Sequence, residues 1–299
     1  MRQSGPQPAR TRISPAGLVF LAITSVGWGF NWPATKYLVS ELPPLTLRGS
    51  TGVVGACLLA LLALVARQRL RVPPELWPRL VVAGVLNVTG WMVLMGLALL
   101  WLPASETALI AYTMPVWATG LAWPVLGERL TLLRTLALLL GFAGLAAIMG
   151  GNGLSASMAK LPGIIMALCG SMGFAVGTVL AKRWPIKMAP IPAAAWQIGI
   201  GCLPVALAGV AIETTHPEAI TPVGWWLLLY STVVQFCVAY VCWFAALSRL
   251  PASVAAIGTM AVPLIGVVTS ALALHEPLGQ GQLAALILTI AAVALATGS

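Results

Sequence analysis

Apolar residues in this chain come in runs of about twenty, each closed by proline, glycine or a cluster of charge, from one end to the other. The stretch 80–101, LVVAGVLNVTGWMVLMGLALLW, holds no charged residue at all. At 1.5 Å of rise per residue, a helix of roughly that length crosses the ~30 Å hydrocarbon core of a bilayer. The runs are continuous rather than alternating with period two, which favours helices over the strands of a closed barrel. Their breaks delimit ten spans, at 15–38, 43–66, 79–101, 104–126, 131–150, 161–182, 190–212, 222–247, 252–274 and 280–298. No remaining stretch is long or polar enough for a separate soluble domain.

The pattern repeats. A shift of 148 residues places LPASETALIAYTMPVWATGLAWPVLGERL (102–130) on LPASVAAIGTMAVPLIGVVTSALALHEPL (250–278) without a gap. Pro115 falls on Pro263 and Glu128 on Glu276, matches that a common apolar bias cannot produce. A shift of 146 pairs Ser25 with Ser171, Gly27 with Gly173 and Lys36 with Lys182. The expected organisation is a short tail at 1–14, a five-helix repeat at 15–150, a linker at 151–160 and a second five-helix repeat at 161–299. With five crossings in each, the second half enters the membrane from the opposite face. The fold class is therefore an all-α membrane protein of ten transmembrane helices arranged as two inverted repeats, an architecture suited to alternating access.

Composition agrees: 60% of residues are hydrophobic and 8% charged, with a mean hydropathy of +0.97. The charge is strongly basic, with 16 Lys and Arg against 7 acidic residues, all glutamate. That balance does not imply nucleic acid. Placing the N-terminus in the cytoplasm puts Arg67, Arg69, Arg71, Arg79, Lys182, Arg183, Lys187 and Arg249 inside. Only Lys36, Arg48 and Lys160 fall toward the outside, with Glu41, Glu213 and Glu218. Both termini are then cytoplasmic, in a bacterial inner membrane, and the leading MRQSGPQPARTR precedes an uncleaved first span. The five cysteines lack metal-ligand spacing and read as buried apolar packing, so neither a metal nor another cofactor is expected. Asn87–Thr89 matches a glycosylation acceptor but lies inside a span. An intramembrane enzyme lacks its parts, since the chain has no Asp, no HExxH and only His216 and His275, both near loops.

On these residues the chain resembles the drug/metabolite transporter superfamily, EamA branch. The likeness is carried by the two LPAS…P…E runs, by GWGFNWPATK at 27–36 and by Arg48, while the Trp-rich interior is similar to the YddG-type aromatic amino acid exporters. The second half has Trp196 where Arg48 stands in the first, so a role for that arginine does not transfer by symmetry. The resemblance implies an exporter of small molecules.

Polar and aromatic residues at depth mark the faces that meet protein or water. Trp28, Asn31, Trp32, Trp91, Tyr112, Thr113, Trp117, Phe174, Trp196, Gln197, Gln235 and Tyr240 combine hydrogen bonding with flat area and are the expected substrate contacts. Pro33, Pro115, Pro204 and Pro263 each free a carbonyl four residues earlier, which makes those carbonyls candidate ligands and the bends candidate gates. Gly173 and Gly177 allow close helix approach and sliding. Trp77, Trp101, Trp123, Trp184, Trp225 and Trp226, near span ends, read as interfacial anchors. Glu128 and Glu276 read as latches at span ends, and Glu106 as the group to titrate if export were proton-coupled.

The expected function is export of aromatic or hydrophobic amino acids and related metabolites by a monomer in the bilayer, facilitated or weakly coupled. The alternatives are a proton-coupled drug or metabolite exporter and, from another class, a channel or scaffold.

Overall fold

Prolines start many of the helices in the computed structural model, which describes residues 14–127, 132–150, 153–250, 258, 259 and 261–297. The elements are α1 (Pro15–Leu38), α2 (Pro44–Val65), α3 (Pro74–Trp101), α4 (Ala104–Leu126), α5 (Leu132–Gly150), α6 (Gly153–Arg183), α7 (Pro190–Ile212), α8 (Pro222–Leu247), α9 (Ala261–Leu274) and α10 (Gln280–Thr297). Proline in a first turn has no N–H to leave unpaired and carries the helical φ already. Ser14 and Thr221 complete two of these starts, their hydroxyls accepting from Gly17 N and Gly224 N. No strand occurs among the described residues.

Among the described residues, six helices are long and apolar enough to cross a membrane: α2, α3, α4, α6 over Met158–Arg183, α7 and α8. The tryptophans read as anchors at span ends, Trp77, Trp101, Trp123, Trp184, Trp225 and Trp226, are all exposed. α1 is as long but carries Thr24, Ser25, Asn31 and Thr35, each buried against protein rather than facing outward. Cys57 and Cys169 lie on exposed faces, unlike buried Cys202 and Cys242, so interior packing does not account for all the cysteines.

The most extensive packing sets α2 along α7 and α5 along α10, while α1 packs on α8 and α9, and α6 on α3 and α4. Small residues bring α2 and α7 together. A methyl at Gly49 would fall on the backbone of Ala206, and one at Gly209 would stand 2.6 Å from Thr46 N.

Glutamates bind one end of the bundle by serving the free amides of neighbouring helix starts, where the helix dipole favours negative charge. Glu213, closing α7, accepts from Leu45 N (3.0 Å) and Thr46 N (2.7 Å) at the start of α2. Glu276, after α9, accepts from Ala104 N (2.6 Å), Ser105 N (2.9 Å) and Ser105 Oγ (2.5 Å). The first LPAS thus opens α4 as a helix start whose amides are served by Glu276, and the Ser105 hydroxyl donates to the same carboxylate. At this end too, Glu106 of α4 accepts from Lys160 Nζ of α6 (2.8 and 2.9 Å) and from Gln282 Nε2 of α10 (3.0 Å). Lys36 Nζ reaches the carbonyls of Leu99 and Leu102. Glu128, Arg129, the second LPAS beyond Leu250 and the N-terminal tail before Ser14 lie outside the described residues.

Among the described residues three helices are irregular, and all three irregularities lie beside the same space. α4 breaks at Tyr112–Thr113 between Ala104–Ala111 and Met114–Leu126. α3 widens to π-type turns over Gly84–Thr89, and α8 over Tyr230–Val238. Such turns insert extra residues into the backbone ladder and recur at functional sites.

Candidate functional site

The break in α4 and the π turns border a cavity of about 120 Å³ lined by α1, α2, α3, α4, α6 and α8. Its walls are largely aromatic. Trp28 meets Tyr240 edge-on at 5.5 Å, Trp32 meets Trp91 at 6.3 Å, and Trp91 meets Phe174 at 5.0 Å. Offset and edge-on contacts of this kind fix ring orientation and leave flat faces available to a guest. Met92, Met95, Leu99, Tyr112 and Met114 fill the wall between them, and methionine adapts to guests of different shape.

The polar lining is sparse: Asn31, Thr35, Arg48, Asn87 and Gln235. Asn31 accepts a long hydrogen bond from Ser231 (3.5 Å), and the Gln235 carbonyl accepts from Trp28 Nε1 (3.4 Å). Among the described residues, the side-chain oxygens of Asn87 and Gln235 are buried without a donor, and the Nε–H of Arg48 without an acceptor. Arg48 Nη1 donates only weakly, at 3.4 Å, to Thr35 Oγ1. Gly96 leaves room for the arginine stem, since a methyl there would stand 3.1 Å from Arg48 Cγ. Gly177 does the same for Asn87, whose amide occupies the place of its missing methyl.

Of the substrate contacts expected from sequence, the cavity gathers Trp28, Asn31, Trp32, Trp91, Tyr112, Phe174, Gln235 and Tyr240. Four lie elsewhere. Thr113 and Trp117 border a separate small cleft with Val116, Gly141, Phe142 and Leu168. There the Thr113 hydroxyl donates to Ile110 O (2.6 Å) and accepts from Trp117 Nε1 (3.0 Å). Trp196 stacks edge-on with Trp77 at 5.1 Å and donates to Leu70 O at 2.8 Å, a structural contact between α7 and the link after α2. Gln197 follows it on α7, half-buried, with its backbone carbonyl against Gly84 of α3.

The expected gates separate in the same way. The carbonyl freed by Pro115, that of Ala111, accepts from Ser171 Oγ (3.2 Å), and Thr259 O, freed by Pro263, accepts from Val262 N (3.0 Å). Neither is left open for a ligand. Pro33 is buried within α1, whereas Pro204 stands on an exposed face of α7. Gly177 supports close packing, whereas among the described residues no atom lies within 4 Å of a methyl placed at Gly173.

Among the polar lining residues, sequence reading missed Thr35, Arg48 and Asn87. One signal was available for Asn87, because the 148-residue shift that aligns the LPAS runs also pairs it with Gln235. Nothing comparable marked Arg48, whose depth was legible but whose face was not.

The pattern of the EamA-like transporter family matches this chain twice, at residues 15–150 and 161–298. The chain belongs to that family. Among curated proteins, "Uncharacterized transporter YvbV" of Bacillus subtilis is 31% identical over 93% of this chain and 90% of its own length. "Protein PecM" of Dickeya dadantii is 23% identical over 88% and 87% respectively. A Salmonella typhimurium protein named "Probable amino-acid metabolite efflux pump" is 26% identical over 91% and 92%. A solved crystal structure overlays with a TM-score of 0.67 at 21% identity, covering 94% of this chain and 96% of that one, which establishes the shared fold. As an EamA-like protein the chain is a multi-pass membrane transporter for small molecules, not an enzyme.

Proposed function

We propose that the protein exports amino acids with aromatic or other hydrophobic side chains, and related amphipathic metabolites, by alternating access between two inverted five-helix halves. The observation that carries this reading is the cavity itself, an aromatic chamber with a few polar groups, walled by α1 to α4 from one half and α6 and α8 from the other. Such a lining suits a guest with an apolar body and one polar end. Inverted repeats place substrate sites at the interface of the halves, often where helices are interrupted.

The packing supports the two-fold relation. α1 lies on α8 and α9 as α6 lies on α3 and α4, while α2 with α7 and α5 with α10 pair equivalent helices. The π turns follow the same relation, Gly84 and Tyr230 being 146 residues apart. Orientation follows from charge. The end tied by Glu41, Glu106, Glu213 and Glu276 is the outer one, and the end carrying Arg67, Arg69, Arg71, Arg79 and Lys182 is cytoplasmic. The amino-acid assignment is also in keeping with the name of the Salmonella relative. Glu106 is held by Lys160 and Gln282 and does not border the cavity, which favours movement down the substrate gradient without proton coupling.

The test is flux of labelled phenylalanine, tryptophan and leucine in vesicles containing the purified protein, with and without a pH gradient. Saturable flux with no gradient requirement is expected. Tyr112→Ala should lower it at least about tenfold, a loss of roughly 1.4 kcal/mol of transition-state binding, and Trp196→Ala should leave it within about twofold. Absence of amino-acid flux, or equal loss in both variants, would reject the reading.

A further inference from the structure

We propose that Arg48 is the specificity-determining residue of the cavity, binding the carboxylate of the transported molecule through its guanidinium. For its choice of probes this inference rests on the amino-acid reading above. Its ground is a charge left without a partner.

Arg48 is 5% exposed and stands in the cavity wall, yet among the described residues the one hydrogen bond of its guanidinium is the long contact to Thr35. A guanidinium offers five N–H donors and stays protonated, so a buried one needs acceptors from somewhere. The described residues do not supply them. Among the described residues no carboxylate borders the cavity. Glu106 is taken by Lys160, Glu213 by the start of α2, and Glu276 by the start of α4. Glu41 is taken by Thr221 and Glu218 by His216. Glu75 is exposed in the link before α3. The chain has no aspartate to add.

A ligand carboxylate would meet both needs, neutralising the charge and accepting two parallel N–H bonds from the fork. The aromatic walls then take the apolar remainder. An amine carrying the same ring would bring a second positive charge into a space already positive. The second half carries Trp196, away from the cavity, at the position corresponding to Arg48. The site therefore binds its guest in one orientation.

The experiment is thermal unfolding of the purified full-length protein in detergent with three probes sharing one ring: phenylalanine, 3-phenylpropionate and phenethylamine. The wild type should be stabilised by the two carboxylates and not by the amine. In Arg48→Gln the half-saturating concentration of both should rise at least about tenfold, while Arg48→Lys, which keeps the charge without the fork, should fall between. If Arg48→Gln does not fold, the three-probe comparison on the wild type decides. Stabilisation by phenethylamine equal to that by 3-phenylpropionate, no response to 3-phenylpropionate, or an unchanged response in a folded Arg48→Gln would overturn the proposal. A carboxylate response without vesicle flux would keep this inference and remove the transport reading. Flux indifferent to the carboxylate would do the reverse.

Discussion

Glu106→Ala should destabilise the protein by about 3 kcal/mol, the lower end of the cost of breaking a buried ion pair, since the Lys160 side chain keeps 23% of its surface exposed. Glu106 is 1% exposed, and its carboxylate joins α4 to Lys160 on α6 and to Gln282 on α10. Without it, a half-sheltered ammonium and a buried amide both lose their acceptor. The double variant Glu106→Leu with Lys160→Leu should recover most of the loss, because an apolar pair of similar size needs no desolvated charge. Unfolding titrations in mixed micelles measure both. A single variant within about 1 kcal/mol of the wild type would show that the pair is no clamp.

The second large effect concerns transport rather than stability. Met114 borders the cavity just beyond the α4 break, and Met114→Trp places a rigid bicycle where a flexible chain now adapts. Flux of every substrate should fall at least about tenfold, since a filled chamber admits no guest, while expression and unfolding stay near wild type. Met114→Ala should keep most of the flux. Comparable loss in both variants would assign the residue to the hinge instead.

Much of the helical layout was legible because prolines, glycines and charges punctuate the apolar runs at the places where helices start and stop. The run at 15–38 became Pro15–Leu38, and that at 104–126 became Ala104–Leu126. The break inside the latter was not foreseen, since Pro115 in the sequence marks a bend without saying whether two residues leave the helix before it. The π turns left no clear signal at all. Both depend on packing against other helices, as where Thr89 Oγ1 donates to Gly201 O (2.8 Å) and Trp28 Nε1 to Gln235 O.

The site was legible in its chemistry and only partly in its membership. A helix that is apolar on all sides gives depth but little information about rotation. Trp196 and Arg48 show the two errors this causes. The tryptophan had the right kind of side chain but faces Trp77, and the arginine, read as lying near a span end, turns into the chamber. Thr113 was lost for another reason, its hydroxyl being used by Ile110 and Trp117 within its own turn of helix.

Alternating access, one cavity opened in turn to either side, can be read out as chemical accessibility. Cys57, Cys169, Cys202, Cys237 and Cys242 would be replaced by alanine and a single cysteine placed at Met92 in the cavity wall. A membrane-impermeant maleimide would then be added to right-side-out and to inverted vesicles. Labelling is expected in both orientations, slowed by a bound substrate, with no ionic conductance through the purified protein. Labelling from a single face, or conductance accompanying labelling from both, would contradict it.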